Sequence, residues 1–504
     1  MNQLLWTPEL PHKISFNGKR TLAIMACMLV AATVSADCVA DITLPKFFSD
    51  HMVLQQNANF PVWGIAEPNQ RLLIRFNDSE VKTQANADGK FSVSIRTPSA
   101  GGPYRLEIAD QDNSTGVILD DVMVGEVWLC SGQSNMSWPV EKSDDASAEI
   151  LSANNYNQIR LFTVEVHSSE QPIEDVSKAR PWSICSADSV KDFSAVAYFF
   201  GRDLAKALKH TPIGLIDASS DGTRCEAWCS TESLNQVAEL APLLEYWSEI
   251  QSPNDRNRPG NLFNGMISPL VRYPLRGVVW YQGEANVGRG KQYATLLPTL
   301  ISDWRRQFGE ELLPFYFAQL PPYRYSNFPI EALPEVWDAQ LKTARTVANV
   351  AMATTMDLGS ISDLHPKNKQ GVGKRLANLA LAGTYQNELA MKTVNGPLYE
   401  SMSLSGDVVT VKFQNAGEGL KNISKCDPIE SFMICGKDKV FYPANVKEIG
   451  DDWVTIVSPD VQSPEAVRYC WDDTAASLLG NSDGLPAFPF RTDQYRLSSE
   501  DAQY

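Results

Sequence analysis

Runs of consecutive apolar residues at strand length constrain this chain more than any other feature of its sequence. A strand with one face in water alternates apolar and polar side chains, so an unbroken run needs cover on both faces. Val122-Met123-Val124-Gly125-Glu126-Val127-Trp128-Leu129-Cys130 is nearly such a run. Similar runs recur at Ile213 to Asp217, Gly277 to Tyr281, Leu313 to Ala318 and Val350 to Thr354. Helical periodicity lies between them, as in Ala195 to Leu208 and Tyr293 to Phe308. Strand alternating with helix predicts an α/β fold, a doubly wound parallel sheet covered on both faces.

The flanks read differently. From Val39 to about Gly125, short strands such as Phe60 to Gly64, Arg71 to Phe76 and Phe91 to Ile95 are separated by turn formers, among them Asp88-Gly89 and Gly101-Gly102-Pro103. That spacing predicts a β-sandwich-like N-terminal domain over 37–120. After Asn395-Gly396-Pro397 strands return at Val408 to Phe413, Trp453 to Val457 and Ala466 to Trp471, which predicts a C-terminal β domain over 393–504. The α/β block then spans 121–392.

Residues 1–36 read as a signal peptide. Lys19-Arg20 precede the apolar run Thr21 to Val34, and Val34-Ser35-Ala36 has the small residues of a cleavage site. A run of about 14 residues is short of the roughly 20 that cross a bilayer, so no stable membrane span is expected. Asp37 before Cys38, and the short run before Cys27, argue against a lipid anchor at either cysteine. The chain is expected to be exported, to the periplasm or the medium.

The formal net charge of −16 lacks the basic footprint that a nucleic-acid partner requires. Cys225 and Cys229, and Cys426 and Cys435, are close enough to bridge, with buried free thiols the alternative. No cysteine or histidine pair has zinc-ligand spacing, so neither metal nor cofactor is expected.

Ligands of a doubly wound sheet bind outside the carboxyl ends of its strands. Those ends here carry Ser131-Gly132-Gln133-Ser134-Asn135-Met136, Ser219-Ser220-Asp221-Gly222-Thr223, Gln282-Gly283-Glu284-Ala285-Asn286 and Asp363-Leu364-His365-Pro366. Acyl transfer to serine needs a hydroxyl at a tight turn, an imidazole to take its proton, a group to orient that imidazole and N–H donors for the oxyanion. Ser134, close to Gly132, meets the first need, although Met136 departs from the GxSxG elbow. Of the five histidines, His12 lies in the signal region, His51 in the first β domain, His210 at a helix end and His167 away from any core strand end. His365 is therefore the base, with Asp363 two residues earlier able to orient it. Gly222 can bring a backbone N–H close to substrate, and Gln282 and Asn286 each offer an amide donor.

These blocks resemble the sialate O-acetylesterase family, a branch of the SGNH (GDSL-like) hydrolases. The resemblance runs over nearly the whole chain after the signal, from Leu44-Pro45-Lys46-Phe47-Phe48-Ser49-Asp50-His51 through Gly132-Gln133-Ser134-Asn135-Met136 and Trp280-Tyr281-Gln282-Gly283-Glu284 to Gly484-Leu485-Pro486-Ala487-Phe488-Pro489-Phe490-Arg491. It implies a three-layer α/β/α SGNH-type catalytic domain with flanking β domains, and hydrolysis of acetyl esters on sugars. By this carry-over Ser134 is the nucleophile, His365 the base, and Gly222 with Gln282 (or Asn286) the oxyanion hole. Ser362 stands where the wider superfamily has aspartate, so Asp363 is taken as the acid with Glu284 its rival. Asp221 replaces the first glycine of a Gly-Gly-Thr block.

The resemblance implies an O-acetylated sugar as the partner, foremost 9-O-acetylated sialic acid, whose carboxylate calls for an arginine such as Arg224 or Arg289. The alternatives are an acetylxylan or other plant-polysaccharide esterase and, in another class, a non-catalytic glycan-binding protein.

Overall fold

The structure, a computed structural model, describes residues 42–111, 116–392, 394–424, 429–475 and 479–502. The expected signal peptide, His12, Cys27, Cys38 and Cys426 lie outside the described residues.

One strand organises the fold. β1 (Gly116–Gly132) carries both a half-exposed and a fully buried pattern in one continuous element. Its first half pairs antiparallel with Gly101–Asp110, and Met123 to Gly125 pair parallel with Val53–Gln55. Its second half enters a parallel sheet. The expected boundary at 120/121 falls inside this strand.

The other strands of the central sheet are β2 (Ile159–Val164), β3 (Ala179–Ile184), β4 (Ile213–Ser219), β5 (Gly277–Tyr281), β6 (Phe315–Ala318) and β7 (Val350–Ala353). Their order is β7-β6-β5-β1-β4-β2-β3, with only β3 antiparallel to its neighbour. Every residue of β4 and β5 is buried, as the unbroken apolar runs require. The sequence reading missed β2. Arg160 interrupts its apolar run, yet that side chain is buried and pairs with Asp121 at 3.0 Å.

Five helices matter for the site: α1 (Ser134–Ser137), α2 (Ala195–Leu208), α3 (Gly290–Phe308), α4 (Ala332–Thr346) and α5 (Lys369–Gly383). Ser194 caps α2 through its hydroxyl and Asn368 caps α5 through its amide oxygen, each accepting an N–H of the first turn. α2 packs on α5 and α3 on α4. Gly373 allows the first contact, because a side chain there would collide with the Phe199 and Phe200 segment.

Strand order reverses about β1, so the crevice beyond its carboxyl end, between β4 and β5, is the switch point where ligands bind in such sheets.

The flanking β regions are tied to this block. Phe47 and Phe60 meet the ring of Tyr273 edge-on, while the Tyr273 hydroxyl donates to Val53 O at 2.7 Å. A seven-stranded sheet runs from Leu398–Ser405 to Phe490–Arg491. Beyond it, the N–H groups of Ser498 and Ser499 donate to Glu335 on α4. Cys225, Cys229 and Cys435 are buried free thiols, which decides the first expected pairing against a bridge. Among the described residues no helix is long and apolar enough to cross a membrane.

Candidate active site

Ser134 opens α1 directly after β1, half-buried. The turn depends on Gly132, whose φ is 139°, and a Cβ there would lie 2.1 Å from Tyr281 O. Gln133 N donates to Tyr281 O and Ser220 N to Gly132 O, so the neighbouring strands β5 and β4 clamp the turn from both sides.

The histidine loop meets this turn at two points. Asn135, the residue after Ser134, donates its amide N–H to Leu364 O at 3.0 Å, one residue before His365. Trp138 stacks on the His365 ring, with centroids 5.0 Å apart and planes 16° from parallel. His365 Nε2 is buried without a hydrogen-bond partner. The structure therefore brings the turn that carries Ser134 and the loop that carries His365 against each other.

The two candidate acids are placed differently. Asp363 Oδ1 accepts the backbone N–H of His365 at 2.9 Å, shaping the loop rather than holding the ring. Glu284 is buried and accepts from the Asn135 amide. Burial lowers the His365 pKa and Lys369 lowers it further, against the opposing charges of Asp363 and Asp221. Burial raises the Glu284 carboxyl above its ordinary range, offset in part by the Asn135 bond.

Gly222 has φ 64°, and the nearest atom to the space beside it is the guanidinium of Arg256 at 3.8 Å. Its loop is fixed by Thr223, whose hydroxyl donates to Ser220 O and accepts from Trp228 Nε1. Asp221 is exposed and accepts from the Ser137 hydroxyl, linking this loop to the Ser134 turn.

The expected amide donors are committed elsewhere. Gln282 is fully buried, and its N–H groups face Gln133 Oε1, Thr223 O and Asn286 Oδ1 at 2.8–3.2 Å. Asn286 is equally buried and donates to Glu226 at 3.0 Å. Both side chains fasten the loops to one another, because buried amides must satisfy their own hydrogen bonds. Arg289 is also corrected. It is buried and pairs with the fully buried Glu226 at 2.9 Å, supplying the counter-charge that carboxylate needs. Arg224 is half-buried at the Gly222 loop, held by its own N–H on Asn257.

Sequence reasoning gave no role to Asn135 and overlooked Lys369, Trp138 and Arg256. Lys369 Nζ donates to Asn135 Oδ1 and lies 5.8 Å from the Trp138 ring centre and 5.7 Å from that of Tyr281. A lysine in the first turn of a helix opposes the helix dipole, and that was the available signal.

The family model for a carbohydrate esterase, sialic acid-specific acetylesterase, matches residues 124–382, half of the chain. The chain belongs to this esterase family. The esterase is 28% identical to the sialate O-acetylesterase of Mus musculus, over 92% of its own length and 96% of the relative's. Against the Homo sapiens sialate O-acetylesterase it is 28% identical, over 88% and 91% of the two chains. The crystal structure of a carbohydrate acetylesterase from Xanthomonas citri superposes with a TM-score of 0.82 at 32% identity, covering 90% of this esterase and 100% of that chain. The fold and the α/β catalytic block are therefore those of the family.

Proposed function

We propose that this esterase removes O-acetyl groups from a carbohydrate through an acetyl-enzyme on Ser134. His365 takes the serine proton and returns it to the leaving sugar hydroxyl. Water then attacks the acetyl-enzyme with His365 again as base. Asp363 fixes the histidine loop and favours the imidazolium that forms in each step. The Gly222 N–H is the oxyanion donor contributed by the second loop.

The observation that carries this reading is the bond from Asn135 to Leu364 O, which joins the residue after the nucleophile to the residue before the base. Ser134→Ala is expected to lower acetate release by several orders of magnitude, on the order of 10⁴-fold or more, as for other serine triads. Release at the native rate would sink the assignment. Labelling of Ser134 by a fluorophosphonate probe separates an esterase from a protein that only binds glycans.

The substrate is read as an O-acetylated sialic acid, foremost the 9-O-acetyl ester; the mammalian relatives are named as sialate O-acetylesterases. Arg256 beside Gly222, and Arg224 on the same loop, are the guanidinium groups available to its carboxylate. One observation favours a neutral acetylated polysaccharide such as xylan instead. Asp221 holds an exposed carboxylate at the same rim, which repels an acidic sugar. Assaying both substrates side by side, with Arg256→Ala and Asp221→Asn, distinguishes the two readings. Export of the esterase through the segment 1–36 is part of the same proposal, supported by that segment's charge and apolar pattern. N-terminal sequencing of the secreted protein tests it.

A further inference from the structure

Two groups beneath the nucleophile turn have no part in acyl transfer as described above: the amide of Asn135 and the ammonium of Lys369. Both are buried, Asn135 fully and Lys369 with 1% of its surface exposed. Burying an ammonium is costly, and a methionine of similar length would fill the same space without that cost. Lys369 also sits in the first turn of α5, where the helix dipole disfavours a cation. A residue that breaks both local rules is expected where function, rather than folding, selects it.

The bonds around Asn135 indicate what that function is. Its N–H groups reach Glu284 Oε1 on the loop after β5 and Leu364 O on the histidine loop, and its oxygen accepts from Lys369 on α5. One amide beside the nucleophile thus holds three separate segments. Lys369 orients that amide, because an ammonium can only donate and so fixes the oxygen toward α5 and the N–H groups toward the other two. The ammonium and the imidazole also share one aromatic ring: Lys369 Nζ is 5.8 Å from the centre of Trp138, on which His365 stacks.

We infer that Asn135 and Lys369 are positioning residues of this esterase, clamping the histidine loop onto the nucleophile turn and holding the imidazole in its neutral, proton-accepting form. The inference rests on the reading of Ser134 as nucleophile and His365 as base.

The charged groups facing His365 are Asp363 on its own loop, Asp221 on the loop after β4 and Lys369 on α5, with Trp138 the uncharged face. Those facing Lys369 are Glu284 and Asp363, with the buried Tyr281 ring on its flank. Burial lowers the Lys369 pKa to about 7, so the ammonium is the predominant form on the acid side of that value, where His365 titrates. A neighbouring cation disfavours imidazolium, which lowers the histidine pKa. The acid limb of kcat/KM, which reports the free-enzyme base, therefore falls below the ordinary value of about 6.5.

The test uses the full-length protein and acetate release from an acetyl ester across pH. In Lys369→Met the acid limb should move to higher pH by about half a unit or more, since a like charge has been removed. Glu284 would then be left buried without its cation, so the paired variant Lys369→Met with Glu284→Gln removes both charges and guards against misfolding. It should show the same upward shift. Asn135→Ala should lower kcat by about 10-fold or more with little change in KM, as expected when a catalytic geometry is loosened. A purely structural lysine would lower the melting temperature and leave the acid limb where it was. An unmoved limb in the folded double variant, with Ser134→Ala inactive, would overturn the inference. An active Ser134→Ala would instead overturn the reading beneath it, so the two failures are told apart.

Discussion

The carboxyl groups near His365 differ in what they hold, and this divides the work between them. Asp363 accepts the backbone N–H of the histidine and adds a favourable charge, while Glu284 serves the Asn135 amide. Asp363→Asn is accordingly expected to lower kcat by on the order of 10²-fold or more. Glu284→Gln, which keeps an acceptor for Asn135, should stay within about 10-fold of the wild type. Steady-state kinetics of the two variants decides the matter, and a larger loss in Glu284→Gln would transfer the acid's role to it. At this scale the sequence pointed to Ser134 directly after β1 and to His365 on the loop after β7, but its placing of His167 away from any core strand end was wrong, because His167 follows the overlooked β2 by only a few residues. The sequence was not legible for Gln282, Asn286 and Arg289. An amide or guanidinium looks the same in sequence whether it faces substrate or, as here, a buried partner.

Single elements carry the site through shared buried groups. Glu126 lies midway along β1 with only 1% of its side chain exposed. Its oxygens accept from Gln56, from Arg276 just before β5 and from the Tyr385 hydroxyl beyond α5. Gln55 adds a longer contact at 3.4 Å. Replacing Glu126 by alanine leaves several donors unpaired, among them the half-buried guanidinium of Arg276. Glu126→Ala is expected to cost about 2 kcal/mol or more of stability, read as a lower midpoint in urea unfolding. An unchanged midpoint would mean that water replaces the carboxylate without penalty. This strand also explains why β2 escaped the sequence reading: Arg160 is a break in an apolar run until Asp121, at the middle of β1, supplies its partner.

Across the whole molecule, β1 belongs to two sheets at once. The aromatic residues Phe47, Phe48, Phe60 and Trp63 pack with Tyr273 and with one another, and Trp182 Nε1 donates to Phe47 O. A chain beginning at Asp121 would lose the antiparallel partner of β1 and expose Tyr273 and Trp182, both buried in the complete protein. Such a chain is expected to aggregate or to bind hydrophobic dyes rather than fold, because an unpaired edge and an open aromatic patch both promote association. A soluble, cooperatively melting product would show that the α/β block folds alone.

The sequence by itself determined the α/β sheet and the switch-point crevice, and it singled out Ser134 and His365 as the pair to test. Those follow from local patterns: apolar runs set burial, periodicity sets the element, and a strand end sets where a side chain emerges. Only the tertiary structure decided which polar groups face the crevice and which face each other. Hydrogen-bond partners such as Asn135 with Leu364 and Lys369, or Gln282 with Thr223, lie 59 to 234 residues apart in the chain. No local rule encodes such pairings; they exist once packing has removed water from the alternatives.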